Sequence, residues 1–117
     1  MKTNETIKEI IGRITVYKLD ISLFINDLVK VSDNKSELFF IKQKTEELTT
    51  LIDLIFTEES IDKKINYTEK LILTADFLLT ELKELKCDDK FLNEKTDLIA
   101  KTFMIFDKAE NLRTLIT

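Results

Sequence analysis

The sequence predicts an all-α protein, in the form of an antiparallel up-down-up-down four-helix bundle. Its 117 residues include no proline and a single glycine, Gly12, although sheets, hairpins and long loops depend on these two residue types for their turns. Apolar residues recur every three or four positions along four segments, and three short polar breaks separate those segments. A chain of this length and of 44% apolar composition can form one domain with a core of its own.

The first two segments predict helices at about residues 4–31 and 35–57. In both, the apolar positions alternate steps of three and four, which is typical of helices packed at shallow angles. The predicted core seam of the first helix is Ile7, Ile10, Ile14, Tyr17, Ile21, Phe24, Leu28 and Val31, and that of the second is Leu38, Ile41, Thr45, Leu48, Ile52 and Ile55.

The last two segments predict helices at about residues 61–86 and 89–115, which completes a single domain over residues 1–117. The third seam is Ile61, Ile65, Thr68, Ile72, Ala75, Leu79 and Leu82, with Leu71, Leu78 and Leu85 beside it, and the fourth is Phe91, Leu98, Thr102, Ile105, Ala109, Leu112 and Ile116. Because the connections are short, we expect consecutive helices to run in opposite directions.

The polar breaks at residues 32–34, 58–60 and 87–89 supply residues that cap helix N-termini. Asn34 followed by Glu37 fits a capping-box pattern. Asp88 and Asp89 would complement the positive end of the last helix. Cys87, in the same break, is interpreted as a half-buried cysteine in a turn, with a reactive thiol beside a helix N-terminus as the alternative.

Three threonines, Thr45, Thr68 and Thr102, occupy seam positions that Ile or Leu otherwise fill. We expect each hydroxyl to donate a hydrogen bond to the carbonyl one turn earlier while the methyl group packs in the core. The alternative is a polar layer that lines a small ligand cavity.

The residue types that most enzymes require are missing. The chain has no histidine and one cysteine, which excludes Ser-His and Cys-His dyads, histidine-based metal pairs and thiolate zinc sites. Gly12 stands alone, so there is no phosphate-binding glycine loop, and adjacent carboxylates such as Glu46 and Glu47 have lysines nearby that indicate a solvated helix face. We therefore expect no enzyme activity, cofactor, metal or small-molecule substrate.

The charge pattern is mildly acidic, with 22 acidic and 18 basic residues and a net charge of −4. Acidic residues interrupt the basic ones in nearly every turn, and a continuous surface for a nucleic-acid backbone or an anionic membrane is not expected. The first six residues are polar and no apolar run reaches membrane length. These features predict a cytoplasmic protein.

Some apolar residues lie off the predicted seams. Gly12, Val16, Leu19 and Leu23 follow steps of four, three and four on the side of the first helix opposite Ile14 and Ile21. On the fourth helix, Phe103 and Met104 also point away from the seam. An ordered apolar strip on a soluble rod indicates a docking face or a homo-oligomer seam, and we predict that these six residues bind a partner. Phe39, Leu73 and Phe77 are interpreted as ordinary surface residues.

Two functions follow from these observations. The first is a small non-enzymatic protein–protein interaction module, an adaptor, regulator or inhibitor that docks a protein partner or a second copy through its helix faces. The alternative is an RNA-associated bundle, since the chain is similar in helix number and spacing to ribosomal-RNA intervening-sequence proteins and to accessory proteins of diversity-generating reverse transcriptases. Those families are typically basic, whereas this chain is acidic.

Overall fold

The computed structural model describes the backbone of residues 7–31 and 35–117, and the side chains of residues 7–27 and 36–117. Four long helices account for most of this chain: α1 (Ile7–Val31), α2 (Lys35–Thr57), α3 (Ile61–Glu84) and α4 (Leu92–Ile116). A single 3-10 turn at Asp89–Phe91 precedes α4. Since no strand occurs in the described residues, the all-α, four-helix prediction is confirmed.

Each helix packs against two others, in the order α1–α2–α3–α4, and α1 closes the ring against α4. Phe40, near the start of α2, lies 5.5 Å from Phe77, in the second half of α3, measured between ring centroids. Phe24, in the second half of α1, likewise meets Phe91, just before α4, at 6.2 Å. Such pairs are those expected of antiparallel neighbours, which the short connections also favour.

The core follows the predicted seams closely in α2, α3 and α4. All six seam residues of α2 are buried, and so are Leu98, Thr102, Ile105, Ala109, Leu112 and Ile116 of α4. Three predicted seam residues depart from this: Ile61, the first residue of α3, is exposed, and Ile65 and Phe91 are only half-buried.

The buried face of α1 is broader than its predicted seam. Ile11, Lys18 and Ile25 are buried in addition to the predicted Ile10, Ile14 and Ile21. The two sets lie side by side on the helix, so α1 buries a stripe more than one seam wide. Lys18 is the one charged residue buried among the described side chains, and its long aliphatic stem suits this position.

The three seam threonines hydrogen-bond as predicted. The hydroxyls of Thr45, Thr68 and Thr102 donate to the carbonyl oxygens of Ile41, Lys64 and Leu98, at 2.9, 2.7 and 2.8 Å. Each buried hydroxyl is thereby satisfied within its own helix. The core needs no ligand to satisfy these groups.

The helix ends differ in part from the prediction. Ser60 caps α3 as expected, with its hydroxyl oxygen accepting a hydrogen bond from the Lys63 N–H at 3.5 Å. The prediction that α4 begins at residue 89 is wrong, since the 3-10 turn comes first, and the Asp88 side chain makes no capping hydrogen bond to a described residue. The Asn34–Glu37 capping box, the Leu28 and Val31 side chains and the helix start at residues 4–6 lie outside the described residues.

Candidate docking surfaces

The α1 outer strip, defined as Gly12, Val16, Leu19 and Leu23, lies on the solvent side of the bundle. Val16, Leu19 and Leu23 are 58%, 54% and 65% exposed, whereas Ile14 and Ile21 on the opposite side of α1 are buried. The strip runs along about 16 Å of helix at 1.5 Å per residue. The predicted alignment of these residues on one exposed face is therefore what the structure shows.

Gly12 packs against no other helix among the described residues. It lies in the interior of α1 with a negative φ angle, and a Cβ atom added there would meet no heavy atom within 4 Å in the described structure. A helix-interior glycine usually reflects a close approach by another backbone or side chain. Inside this bundle no such neighbour is present in the described residues.

The two predicted residues of α4 lie apart from the strip and from each other. Lys101 marks the α1 side of α4, because its ammonium binds Asp20 of α1. At 100° per residue, Phe103 is rotated about 200° from Lys101, whereas Met104 lies about 60° from it on the same flank. Phe103 is 53% exposed and its ring stacks on Phe106, with centroids 6.3 Å apart. The structure therefore does not join Phe103 to the α1 outer strip.

An ion cluster lies between α1 and α4, beside the strip. The Lys101 ammonium is 3.2 Å from a carboxylate oxygen of Asp20 and 2.6 Å from one of Asp97. The hydrogen bond to Asp97, followed by the one to Asp20, raises the pKa of Lys101 above its ordinary value. Because these side chains are partly exposed, the cluster contributes little to stability, although the Asp20–Lys101 pair joins α1 to α4.

A second apolar surface, which we call the α2–α3 groove, runs between those helices. Its volume is about 550 Å³. It is lined by Gln43, Glu46, Glu47, Thr50 and Leu51 of α2 and by Lys70, Leu73 and Thr74 of α3. At one end the Lys44 ammonium lies 5.8 Å from the centre of the Phe40 ring and 5.3 Å from that of Phe77, in a cation–π arrangement that covers part of both rings.

This groove was not predicted from the sequence. Phe77 and Leu73 were interpreted as ordinary surface residues, and Phe40 was not singled out. The pairing of Phe40 with Phe77 depends on how far α2 and α3 are shifted along each other, and the apolar spacing within one helix carries no information on that shift. The sizes of the side chains do not predict that shift either.

The described residues present little that could react. No three His, Cys, Asp or Glu side chains converge where they could hold a metal ion, in the part of the chain described. Burial raises the pKa of the Cys87 thiol; Asp88, Asp89 and Glu94 add to this effect, and Lys95 opposes it. A raised pKa keeps the sulfur protonated at neutral pH, and the thiol form is the unreactive one.

No protein-family model, curated protein or solved structure matches this chain. Within residues 7–31 and 35–117, no helix combines the length and apolar character needed to cross a membrane. Surface features of the described residues from which a function can be argued are the α1 outer strip, the α2–α3 groove and a smaller groove of about 390 Å³ between α1 and α2, which Gly12, Thr15 and Phe56 help to line.

Proposed function

We propose that this protein is a small non-enzymatic protein–protein interaction module, an adaptor, regulator or inhibitor that docks a protein partner through the α1 outer strip. The observation that carries this proposal is the alignment of Val16, Leu19 and Leu23, each more than half exposed, on one face of a helix whose opposite face is buried. The bundle encloses its own core without them.

The energetics favour contact at this strip. Fully burying an exposed Val or Leu side chain is worth about 1.5–3 kcal/mol, so covering these three can contribute several kcal/mol to association before its entropic costs. Apolar side chains spaced at four, three and four positions are also the pattern by which helices recognise one another in grooves and coiled coils.

The proposal is tested with the double variant L19K/L23K and a matched control, L73K. Leu73 is 68% exposed in the α2–α3 groove, so the control introduces one of the two added charges at a leucine about as exposed as Leu23. Tagged wild-type chain, L19K/L23K and L73K are used to capture proteins from the source cells, and far-UV circular dichroism checks that each variant keeps its helices.

We expect the wild-type chain and L73K to retain the same protein, and L19K/L23K to lose it while remaining fully helical. Retention by L19K/L23K would exclude the α1 outer strip as the docking face. Loss with L73K alone would assign docking to the α2–α3 groove instead.

A further inference from the structure

We propose that the α1 outer strip docks against the same strip of a second copy of this chain, in an antiparallel pair related by a two-fold axis. This inference rests on the proposed function of the strip and names its partner. Three features support it: the spacing of the strip, the open space at Gly12, and the charges that flank the strip.

The spacing of the strip gives the pair two kinds of contact layer. With the two-fold axis between Val16 and Leu19, Val16 faces Leu19 of the second copy, and Gly12 faces Leu23 of the second copy. Each layer occurs twice because of the symmetry, as an isologous interface requires. Such alternation of steps of three and four is the geometry in which side chains of one helix insert between those of another.

Gly12 then gains a packing role that it does not have among the described residues of one chain. The space where its side chain would stand is open in the described structure, and in this register it receives the exposed side chain of Leu23. A small residue opposite a large one allows the helix backbones to approach closely, which improves the packing of both layers.

The flanking charges favour the antiparallel direction. Arg13 and Asp20 are seven residues apart and lie on the same side of the strip. In the antiparallel pair the same sides of the two helices meet, which places Arg13 opposite Asp20 of the second copy, twice over. In a parallel pair, Lys8 would instead lie opposite Arg13, and these like charges would repel. Both side chains already have partners within their own chain, Lys101 in the case of Asp20, but a guanidinium donates and a carboxylate accepts several hydrogen bonds at once.

The strip is short, and we expect the pair to be weak. Two kinds of layer along about 16 Å of helix form a smaller interface than the standard of about 1,600 Å². Dissociation is therefore expected at micromolar rather than nanomolar concentrations, and the mass of the chain in solution should depend on concentration over that range.

The test is sedimentation equilibrium of the full chain over a wide concentration range, with variants that exchange the sizes of Gly12 and Leu23. We expect the wild-type mass to rise from one chain to two. G12L should raise the dissociation constant at least tenfold, because it fills the space that receives Leu23 of the second copy, at two points of the pair. The combined variant G12L/L23A should recover most of the wild-type affinity, since a small side chain again faces a large one. L73A, which shortens an exposed leucine of the α2–α3 groove, is the control and should leave the dissociation constant unchanged.

Several results would overturn the two-fold pair. These are a wild-type chain that stays monomeric at the highest concentration, a dimer that G12L/L23A does not recover, and growth beyond two chains, which would indicate strip-to-groove contacts that do not close. If the chain is monomeric but L19K/L23K still loses a captured protein, only this inference fails. If L19K/L23K also has no effect on capture, the proposed function fails with it.

Discussion

Gly12 is a residue whose small size is not required by the packing of the described residues. In a helix interior glycine is about 1 kcal/mol less favourable than alanine, and nothing in the described bundle packs against the position. The spacing alone predicts that Gly12 lies on the outer face of α1, since it continues the exposed row of Val16, Leu19 and Leu23. That no neighbour within the bundle requires a glycine could be learned only from the packed structure.

Replacing Gly12 with alanine should stabilise the monomer. We expect Gly12→Ala to raise the free energy of unfolding by about 1 kcal/mol, because the backbone there is helical and the added methyl group meets no neighbour. Urea denaturation at low micromolar concentration, where association is minimal, measures this change. A destabilised variant would show that the position is more crowded than the structure indicates.

Cys87 should react slowly at neutral pH. Burial is the main cause that raises its pKa, and the nearby carboxylates of Asp88, Asp89 and Glu94 act in the same direction. A raised pKa means less thiolate at any given pH, so the rate of alkylation by iodoacetamide should still be rising at a pH where that of a free cysteine, with a pKa of about 8.5, levels off. Asp88→Asn with Asp89→Asn should shift the profile to lower pH. A rate that is already constant at pH 7 would contradict this account.

At the scale of the helices, the apolar spacing predicts their number and several of their bounds, such as residues 35–57 for α2 and a start at residue 61 for α3, as the structure has them. The apolar spacing located all four helices, but it placed the start of α4 at residue 89, three residues before Leu92. Asp88 and Asp89 were predicted to complement the positive end of the last helix, at the connection between α3 and α4. Instead, the Lys95 ammonium of α4 donates hydrogen bonds to the carbonyl oxygens of Lys83, at 3.2 Å, and of Leu85. A bond between residues ten or twelve positions apart depends on how the helices pack, which local patterns do not specify.

Lys95 should therefore act as a cap for the C-terminus of α3. It satisfies carbonyl groups that have no partner within the helix and places a positive charge at the negative end of its dipole. We expect Lys95→Met to lower the free energy of unfolding by about 1 kcal/mol, as measured by chemical denaturation.

Lys86→Met is the matched control, since Lys86 is exposed near the same connection and its replacement by Met removes the same charge. It should change the stability by less than half as much. Equal effects of the two variants would mean that Lys95 acts through general charge rather than through its hydrogen bonds.

At the scale of the whole molecule, the sequence was sufficient for the fold class and for the face that α1 exposes. Both depend on periodicity within a helix, which the side chains of a single segment define. The α2–α3 groove and the separation of Phe103 from the α1 outer strip were not predictable in the same way. They depend on the rotation and shift of one helix against another, as the contact of Phe40 with Phe77 illustrates.

The central claim is that the α1 outer strip is the surface at which this bundle meets another protein. The amide resonances of the isotope-labelled chain test it most directly, recorded at increasing concentration and again with any protein that the wild-type chain captures. We expect the shifts to concentrate in residues 12–23 of α1 and to spare the lining of the α2–α3 groove. Association with shifts confined to that groove, or with unchanged resonances for Val16, Leu19 and Leu23, would contradict the account.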